Sequence, residues 1–497
     1  MNYSLRLSPN NDGTYDVLIN FKPHLDEEFS LEFLTNGFKK AQQSIQEFIS
    51  KQKESIRINK VKLLVSGALV ATLALSSFGT AFAATGRYSM SYLYTGSTSE
   101  QIQYVNNTKD SLNTVAPSYF DINADGSLKI NAISSDLVNA MHNANIDVVP
   151  FLSNHWNRTA GIAFLQNYEH SATLLAQAIE QYNLDGINVD IENVTHNEKD
   201  LYTAFVRSLR EKVPSHKEVS VAVAANPNAW TQGWHGSYDY TQLAQYADYL
   251  MIMAYDEHYQ GGSAGPVASI QFVENSIKYA LSKTSADKIV VGLPFFGRLW
   301  SENGVFNGNG VNLNMVDTIV SRYNGRITFD STTKSPKVEF SVNQGDATTT
   351  INGKALTPGN YVLWFEDDYS IQEKLALVNK YDLKGAGSWA LGKEPGSIWN
   401  GYSQWLNGTY TENPSNPSNP DPVPEKPWEE YEHRGTVNAD ILNIRSGMSL
   451  QDGIIYRAPQ GTKVIILNNF GNGWYRVQLL NGTVGYANGQ YIAPPAQ

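Results

Sequence analysis

The chain has 497 residues, enough for two or three domains or for one barrel with additions. Charged residues make up only 17% against 11% aromatic, and the formal net charge of −11 argues against nucleic acid as a partner. There is no cysteine, which excludes a disulfide framework and thiolate-based metal or redox chemistry.

Residues 1–60 form a small N-terminal segment in which Tyr15–Phe21 alternates like a strand after an Asn11-Asp12-Gly13 turn. Leu31 to Lys53 fits one helix, and no chemistry is assigned to the segment. Next, Lys51, Lys53, Arg57, Lys60 and Lys62 precede an uncharged apolar run from Leu63 to Ala84, and Ala81-Phe82-Ala83 offers small residues for cleavage before Ala84. Residues 61–84 therefore read as a signal peptide, or as a retained signal-anchor holding the protein at the membrane. The preceding cations place residues 1–60 in the cytoplasm, and both readings place everything after residue 84 outside.

From 85 to 408 the pattern is α/β, with short apolar strands alternating with amphipathic helices. The expected strands are Tyr88–Tyr94, Thr114–Tyr119, Asp147–Leu152, Gly186–Glu192, Val219–Ala225, Tyr249–Tyr255, Lys288–Pro294 and Gly385–Ala390. Eight strands with helices between them predict a (β/α)8 TIM barrel. Leu201, Phe205, Leu209 and Val213 give the helix after the fourth strand one apolar stripe, and Ile371, Leu375 and Val378 do the same for the last helix. About residues 301–361, rich in Gly, Asn and Thr, predict a small α+β lobe inserted between strands 7 and 8. Residues 409–430 contain Asn413-Pro-Ser-Asn-Pro-Ser-Asn-Pro-Asp-Pro-Val-Pro424, an extended linker, and 431–497 read as a separate all-β module.

The stretch that carries chemistry is Asp185-Gly186-Ile187-Asn188-Val189-Asp190-Ile191-Glu192. Alternate side chains of a strand share a face, so Asn188, Asp190 and Glu192 point one way and Ile187, Val189 and Ile191 the other. Two acids two residues apart repel, so one is held protonated near neutral pH, as a general acid must be. The run resembles the Asp-x-x-Asp-x-Asp-x-Glu signature of glycoside hydrolase family 18, matched at Asp185, Asp190 and Glu192, with Asn188 where many chitinases carry Asp. Met253-Ala-Tyr-Asp256 resembles the family's Met-x-Tyr-Asp motif. Gly292-Leu-Pro-Phe-Phe-Gly-Arg298 is similar to its seventh-strand motif, with Phe296 where chitinases often have Tyr. Gly387-Ser-Trp389 falls where the family places a tryptophan beneath the sugar.

The resemblance implies substrate-assisted, retaining hydrolysis with no cofactor, an exception to the usual two-carboxylate scheme. On that reading Glu192 protonates the leaving oxygen, Asp190 orients the acetamido N–H, and Tyr255 holds the acetamido oxygen. Asn188, Asp256, Met253, Trp389 and Arg298 bind substrate or its neighbours, while Asp185 and Gly186 are structural. Trp156, Trp230 and Trp234 are loop aromatics that either stack on sugars or are ordinary surface residues. The nine histidines show no metal-ligand spacing. Ile441–Gly447, Gly461–Val464, Gly473–Val477 and Gly482–Tyr486 resemble bacterial SH3-like domains, which implies binding to the cell wall. The expected substrate is the glycan of peptidoglycan cut after N-acetylglucosamine. The alternatives are a chitinase acting on chitin, a catalytically silent lectin-like barrel, and a membrane-held scaffold.

Overall fold

The computed structural model describes residues 2–9, 15–22, 58–65, 68–74, 86–409, 427–445, 450, 454–469, 473–480 and 483–494. The expected Asn11–Gly13 turn, the Leu31–Lys53 helix, the Ala81–Ala84 cleavage site and the Asn413–Pro424 run lie outside them. The chain divides into two compact units, Met1–Arg87 with His142–Ile146, and Tyr88–Met141 with Asp147–Gln497.

The first unit holds a four-stranded sheet in the order Asn2–Pro9, Tyr15–Lys22, Ile58–Val65, Ala68–Ala74. Its central pair is parallel and its two outer pairs are antiparallel. Tyr15–Phe21 is thus a strand, as its alternation predicts. The apolar run from Leu63 differs from the expectation of one continuous segment, because Leu63–Val65 ends one strand and Ala68–Ala74 forms the next, with Val61 opposite Leu73. Val61, Val65, Val70 and Thr72 favour extended backbone, and Ser66-Gly67 interrupts the run. Among the described residues no helix is long and apolar enough to cross a membrane.

In the second unit the barrel strands are β1 (Tyr88–Leu93), β2 (Thr114–Pro117), β3 (Asp147–Val148 continued by Phe151–Ser153), β4 (Gly186–Asp190), β5 (Glu218–Ala224), β6 (Tyr249–Met253), β7 (Ile289–Pro294) and β8 (Gly385–Trp389). All neighbouring pairs are parallel. β3 closes the ring in two halves. Asp147–Val148 pairs with β2 and Phe151–Ser153 with β4, with Pro150, which has no N–H to donate, between them. The interior is filled by Met90, Tyr92, Ala116, Phe151, Ala222, Tyr249, Met251 and Val290, so the barrel is a packed core and not a pore.

The outward residues Ile187, Val189 and Ile191 are fully buried. They lie beneath a helical layer that includes Lys199–Lys212, which buries Tyr202, Phe205, Val206 and Leu209. Tyr202 takes the place expected for Leu201, which is only half-buried. In the last helix, Asp368–Lys380, the predicted Ile371, Leu375 and Val378 are all buried.

The insertion is a five-stranded antiparallel sheet with the helix Val316–Tyr323, an α+β lobe as expected. It begins at Phe296 and runs to Trp364, wider than 301–361. Phe296–Ser301 pairs with Asn307–Asn312 and Gly359–Trp364, partners up to about sixty residues away that strand alternation alone does not reveal. The C-terminal module is a seven-stranded all-β sheet whose core is Val437, Leu442, Ile444, Ala458, Val464, Val477, Leu479 and Ala487. Trp428 Nε1 donates to the carbonyl of Val464 at 2.9 Å, so the module reaches back to Trp428, before the expected boundary at 431.

Candidate active site

The site stands at the C-terminal ends of the barrel strands, where loops rather than ladders govern side-chain placement. Asp185 anchors the strand that carries the acids. Its Oδ2 accepts from the Val148 N–H at 2.7 Å, tying β4 to β3. Gly186 follows because a Cβ there would lie 2.2 Å from the carbonyl oxygen of Glu218 on β5. These two residues set the register in which Asn188 and Asp190 face the barrel axis.

Asp190 is only 6% exposed and its Oδ1 has no hydrogen-bond partner. Burial pushes its carboxyl up to about 7, although His155 nearby opposes the shift. Glu192, just past the strand end, is also pushed above the usual carboxylate range, first by burial, then by the charges of Asp190 and Asp256. Its backbone is clamped at both polar atoms by one side chain. The Glu192 N–H donates to Asn154 Oδ1 at 2.8 Å, and Asn154 Nδ2 donates to the Glu192 carbonyl at 2.8 Å.

Tyr255 packs edge-on against Phe296 at 5.9 Å, and its hydroxyl has no protein partner among the described residues. Burial and the neighbouring Asp190, Glu192 and Asp256 hold that hydroxyl in its neutral, donating form. Arg298 grips Asp256 with two bonds, Nε to Oδ1 at 2.8 Å and Nη2 to Oδ2 at 2.5 Å, and its Nη1 donates to the Gly308 carbonyl. Asp256 is thereby locked in place. Trp389 lies half-buried at the end of β8 among Tyr92, Tyr94 and Phe151, with ring centroids 5.2 to 5.9 Å apart. Tyr92, Met253 and Trp389 join the three acids, Tyr255 and Arg298 in lining a cavity of about 320 Å³.

Of the residues expected from the sequence, Glu192, Asp190, Tyr255, Asp256, Met253, Trp389 and Arg298 come together around this cavity. Asn188 does not line it. Expected among the substrate-binding groups and able in principle to bond Asp190, it is fully buried and committed elsewhere. Tyr92 Oη donates to its Oδ1 at 2.8 Å, and its Nδ2 donates to Ser220 Oγ at 2.9 Å. Both amide ends are used below the site, which leaves Asp190 Oδ1 alone. Trp156 and Trp234 pair edge-on at 5.0 Å, Trp156 and Trp230 are about half exposed, and none of the three lines the cavity.

Sequence reasoning missed Tyr92, Asn154 and Lys393. The run Ser153-Asn154-His155-Trp156, polar and aromatic directly after an apolar strand, was the available signal for Asn154. Among the described residues no group of three or more His, Asp or Glu side chains is arranged to hold a metal ion.

Residues 89–394 match the family model for glycosyl hydrolases family 18, and residues 440–493 that of the bacterial SH3 domain. The chain belongs to glycosyl hydrolase family 18, with a bacterial SH3 domain after the barrel in the sequence. Among curated relatives it is similar to the cortical fragment-lytic enzyme of Bacillus subtilis, 29% identical over 229 residues, covering 44% of this chain and 50% of that protein. It is also similar to the di-N-acetylchitobiase of Rattus norvegicus, 26% identical and covering 44% of this chain and 64% of that protein. The chain spans about half the length of the first curated relatives it matches. Among solved structures, the fold is shared with a chitinase from Chromobacterium violaceum at TM-score 0.57 and 24% identity, covering 64% of this chain and 99% of that one. A spore cortex-lytic enzyme from Bacillus megaterium gives TM-score 0.55 at 22% identity, covering 63% and 72%.

Proposed function

We propose that this protein is an exported hydrolase that cuts β-1,4 bonds after N-acetylglucosamine in bacterial cell-wall glycan, by substrate-assisted, retaining catalysis. The observation that carries the chemistry is the Asp190–Glu192 pair, two buried acids whose pKa values are both raised, facing one cavity with the free hydroxyl of Tyr255. A protonated Glu192 gives its proton to the leaving glycosidic oxygen. The acetamido oxygen of the sugar attacks its own anomeric carbon from the opposite face. Asp190, whose Oδ1 has no protein partner, accepts from the acetamido N–H and stabilises the oxazolinium-like intermediate. Tyr255 donates to the acetamido oxygen and Trp389 supports the ring face. Preorganised contacts of this kind contribute roughly 3–4 kcal/mol each. Water then opens the intermediate, with Glu192 as the base. The scheme demands an N-acetylated amino sugar, which peptidoglycan and chitin supply and cellulose does not.

Cell wall over chitin is favoured by the SH3 domain at 440–493 and by the likeness to a cortical fragment-lytic enzyme. An amide at position 188 in place of a carboxylate sets the pH response and does not abolish turnover. The test is digestion of peptidoglycan sacculi and chitin oligosaccharides by the full chain beside Glu192→Gln, with products identified by mass spectrometry. New reducing-end N-acetylglucosamine from sacculi, absent with the variant, is the expected result. Cleavage of chitin alone makes the protein a chitinase, and binding without cleavage makes it a lectin-like barrel.

A further inference from the structure

The cavity wall carries three acids, Asp190, Glu192 and Asp256, and two cations, Arg298 and Lys393. Arg298 is committed, doubly bonded to Asp256 and bonded once more to a backbone carbonyl. Lys393 has no carboxylate or hydrogen-bond partner for its ammonium among the described residues. Instead, the ammonium lies against two aromatic faces, 5.7 Å from the Tyr94 ring centroid and 5.8 Å from that of Trp389. Its backbone is fixed, since the Lys393 N–H donates to the Ala390 carbonyl and its own carbonyl accepts from the Asn314 N–H at 2.9 Å. A long cation held by its main chain at the rim of a sugar platform, with no anion to satisfy it, is poised for an anion that the substrate brings.

The position says which part of the substrate that is. Trp389 lies under the reacting sugar in the reading above, and Tyr94, 5.4 Å from it and 44% exposed, continues the aromatic surface outward. Lys393 stands over both rings and so serves the junction between the reacting sugar and the next one. Chitin offers nothing charged there. In a peptidoglycan strand the next sugar is muramic acid, whose 3-O-lactyl group ends in a carboxyl that is either free or extended by an amino acid carrying its own.

We propose that Lys393 is a specificity residue that pairs with a carboxylate on the muramyl substituent adjacent to the reacting N-acetylglucosamine. The inference rests on the cell-wall reading and deepens it. Without such a cation the cavity would offer an anionic glycan only Arg298, already paired with Asp256, and nothing in it would favour that glycan over neutral chitin. Burial pushes the Lys393 ammonium below the usual lysine range, a cost that a substrate carboxylate relieves.

The test compares the full chain with Lys393→Met and Lys393→Arg on four tetrasaccharides. One is chitotetraose. The other three alternate N-acetylglucosamine with muramic acid and carry a free lactyl carboxylate, a lactyl-alanine, or a lactyl amide. The readout is kcat/KM by quantitative mass spectrometry. Lys393→Met is expected to lower the ratio of carboxylate substrate to chitotetraose about 10-fold or more, while Lys393→Arg retains most of it. Amidation costs the wild type a similar factor and costs Lys393→Met nothing, because the two changes remove the same interaction. A larger loss on the free-lactyl or on the alanyl glycan identifies which carboxylate is bound. If all three proteins keep the same ratio across the four glycans, Lys393 does not read charge, and the cell-wall reading stands without it. If the wild type cleaves chitotetraose but none of the muramyl glycans, both readings fall.

Discussion

Two buried carboxylates in this barrel are pushed by the same force to the same place and yet do different things. Asp190, at the top of β4, and Glu218, at the start of β5, are each raised to about 7, chiefly by loss of solvent. Both oxygens of Glu218 are satisfied, Oε1 by Ser220 at 2.8 Å and Oε2 by Tyr88 at 3.0 Å. Ser220 passes the chain to Asn188 and Asn188 to Tyr92, a polar relay with donors and acceptors matched at every step. Asp190 sits just above that relay and receives nothing from it at Oδ1. A perturbed carboxyl is therefore not by itself the mark of catalysis. The mark is a perturbed carboxyl left without a protein partner beside a sugar-sized cavity.

The comparison can be broken most sharply at the top of the barrel. Glu192→Gln removes the proton donor and is expected to lower kcat about 10³-fold or more without loss of glycan binding, measured by single-turnover kinetics and sedimentation with sacculi. Asp190→Asn is expected to lower kcat about 10²-fold. It also removes a charge that raises the pKa of Glu192, so the basic limb of the kcat/KM profile should move to lower pH. A profile that stays in place would separate the two acids.

The lower carboxylate predicts a stability effect instead. A group whose pKa is raised on folding contributes stability that is complete below its unfolded value and is lost as pH climbs through its folded value. For Glu218 that window runs from the ordinary glutamate range to about 7. Glu218→Gln should therefore gain thermal stability relative to wild type between about pH 5 and about pH 8, while kcat changes less than about 3-fold. Calorimetry at both pH values reads the difference, and a kcat loss matching that of Asp190→Asn would erase the distinction between the regions. The smallest effect is expected for Asn188→Asp, which places a second acid beneath Asp190. Activity should survive with the acidic limb displaced to higher pH, and an unchanged profile would count against a role for Asn188 in tuning Asp190.

The upper region was far more legible in the sequence than the lower one. Asp190, Glu192, Tyr255 and Trp389 lie on strand ends whose alternation is local, so the residues sharing a face can be read two by two. The stripe of Ile371, Leu375 and Val378 is legible for the same reason. Asn154 was not, because it acts through a backbone 38 residues away, and nothing in a lone asparagine after β3 says which main chain it will clamp. Asn188 is the converse case. Its face was legible but its depth was not, since burial depends on Tyr92 and Ser220, on β1 and β5. Composition alone makes the run from Leu63 one span, whereas the pairing of Leu63–Val65 with Ala68–Ala71 is set by contacts that hydropathy does not encode.

The most direct test of the account follows the anomeric configuration of the first product by proton NMR, in the opening seconds of digestion of a β-linked muramyl tetrasaccharide. Attack by the acetamido oxygen followed by water inverts the anomeric carbon twice, so the account predicts that the new reducing end appears as the β anomer and mutarotates afterwards. Initial release of the α anomer would mean direct attack by water, and would contradict the roles given to Asp190 and Tyr255.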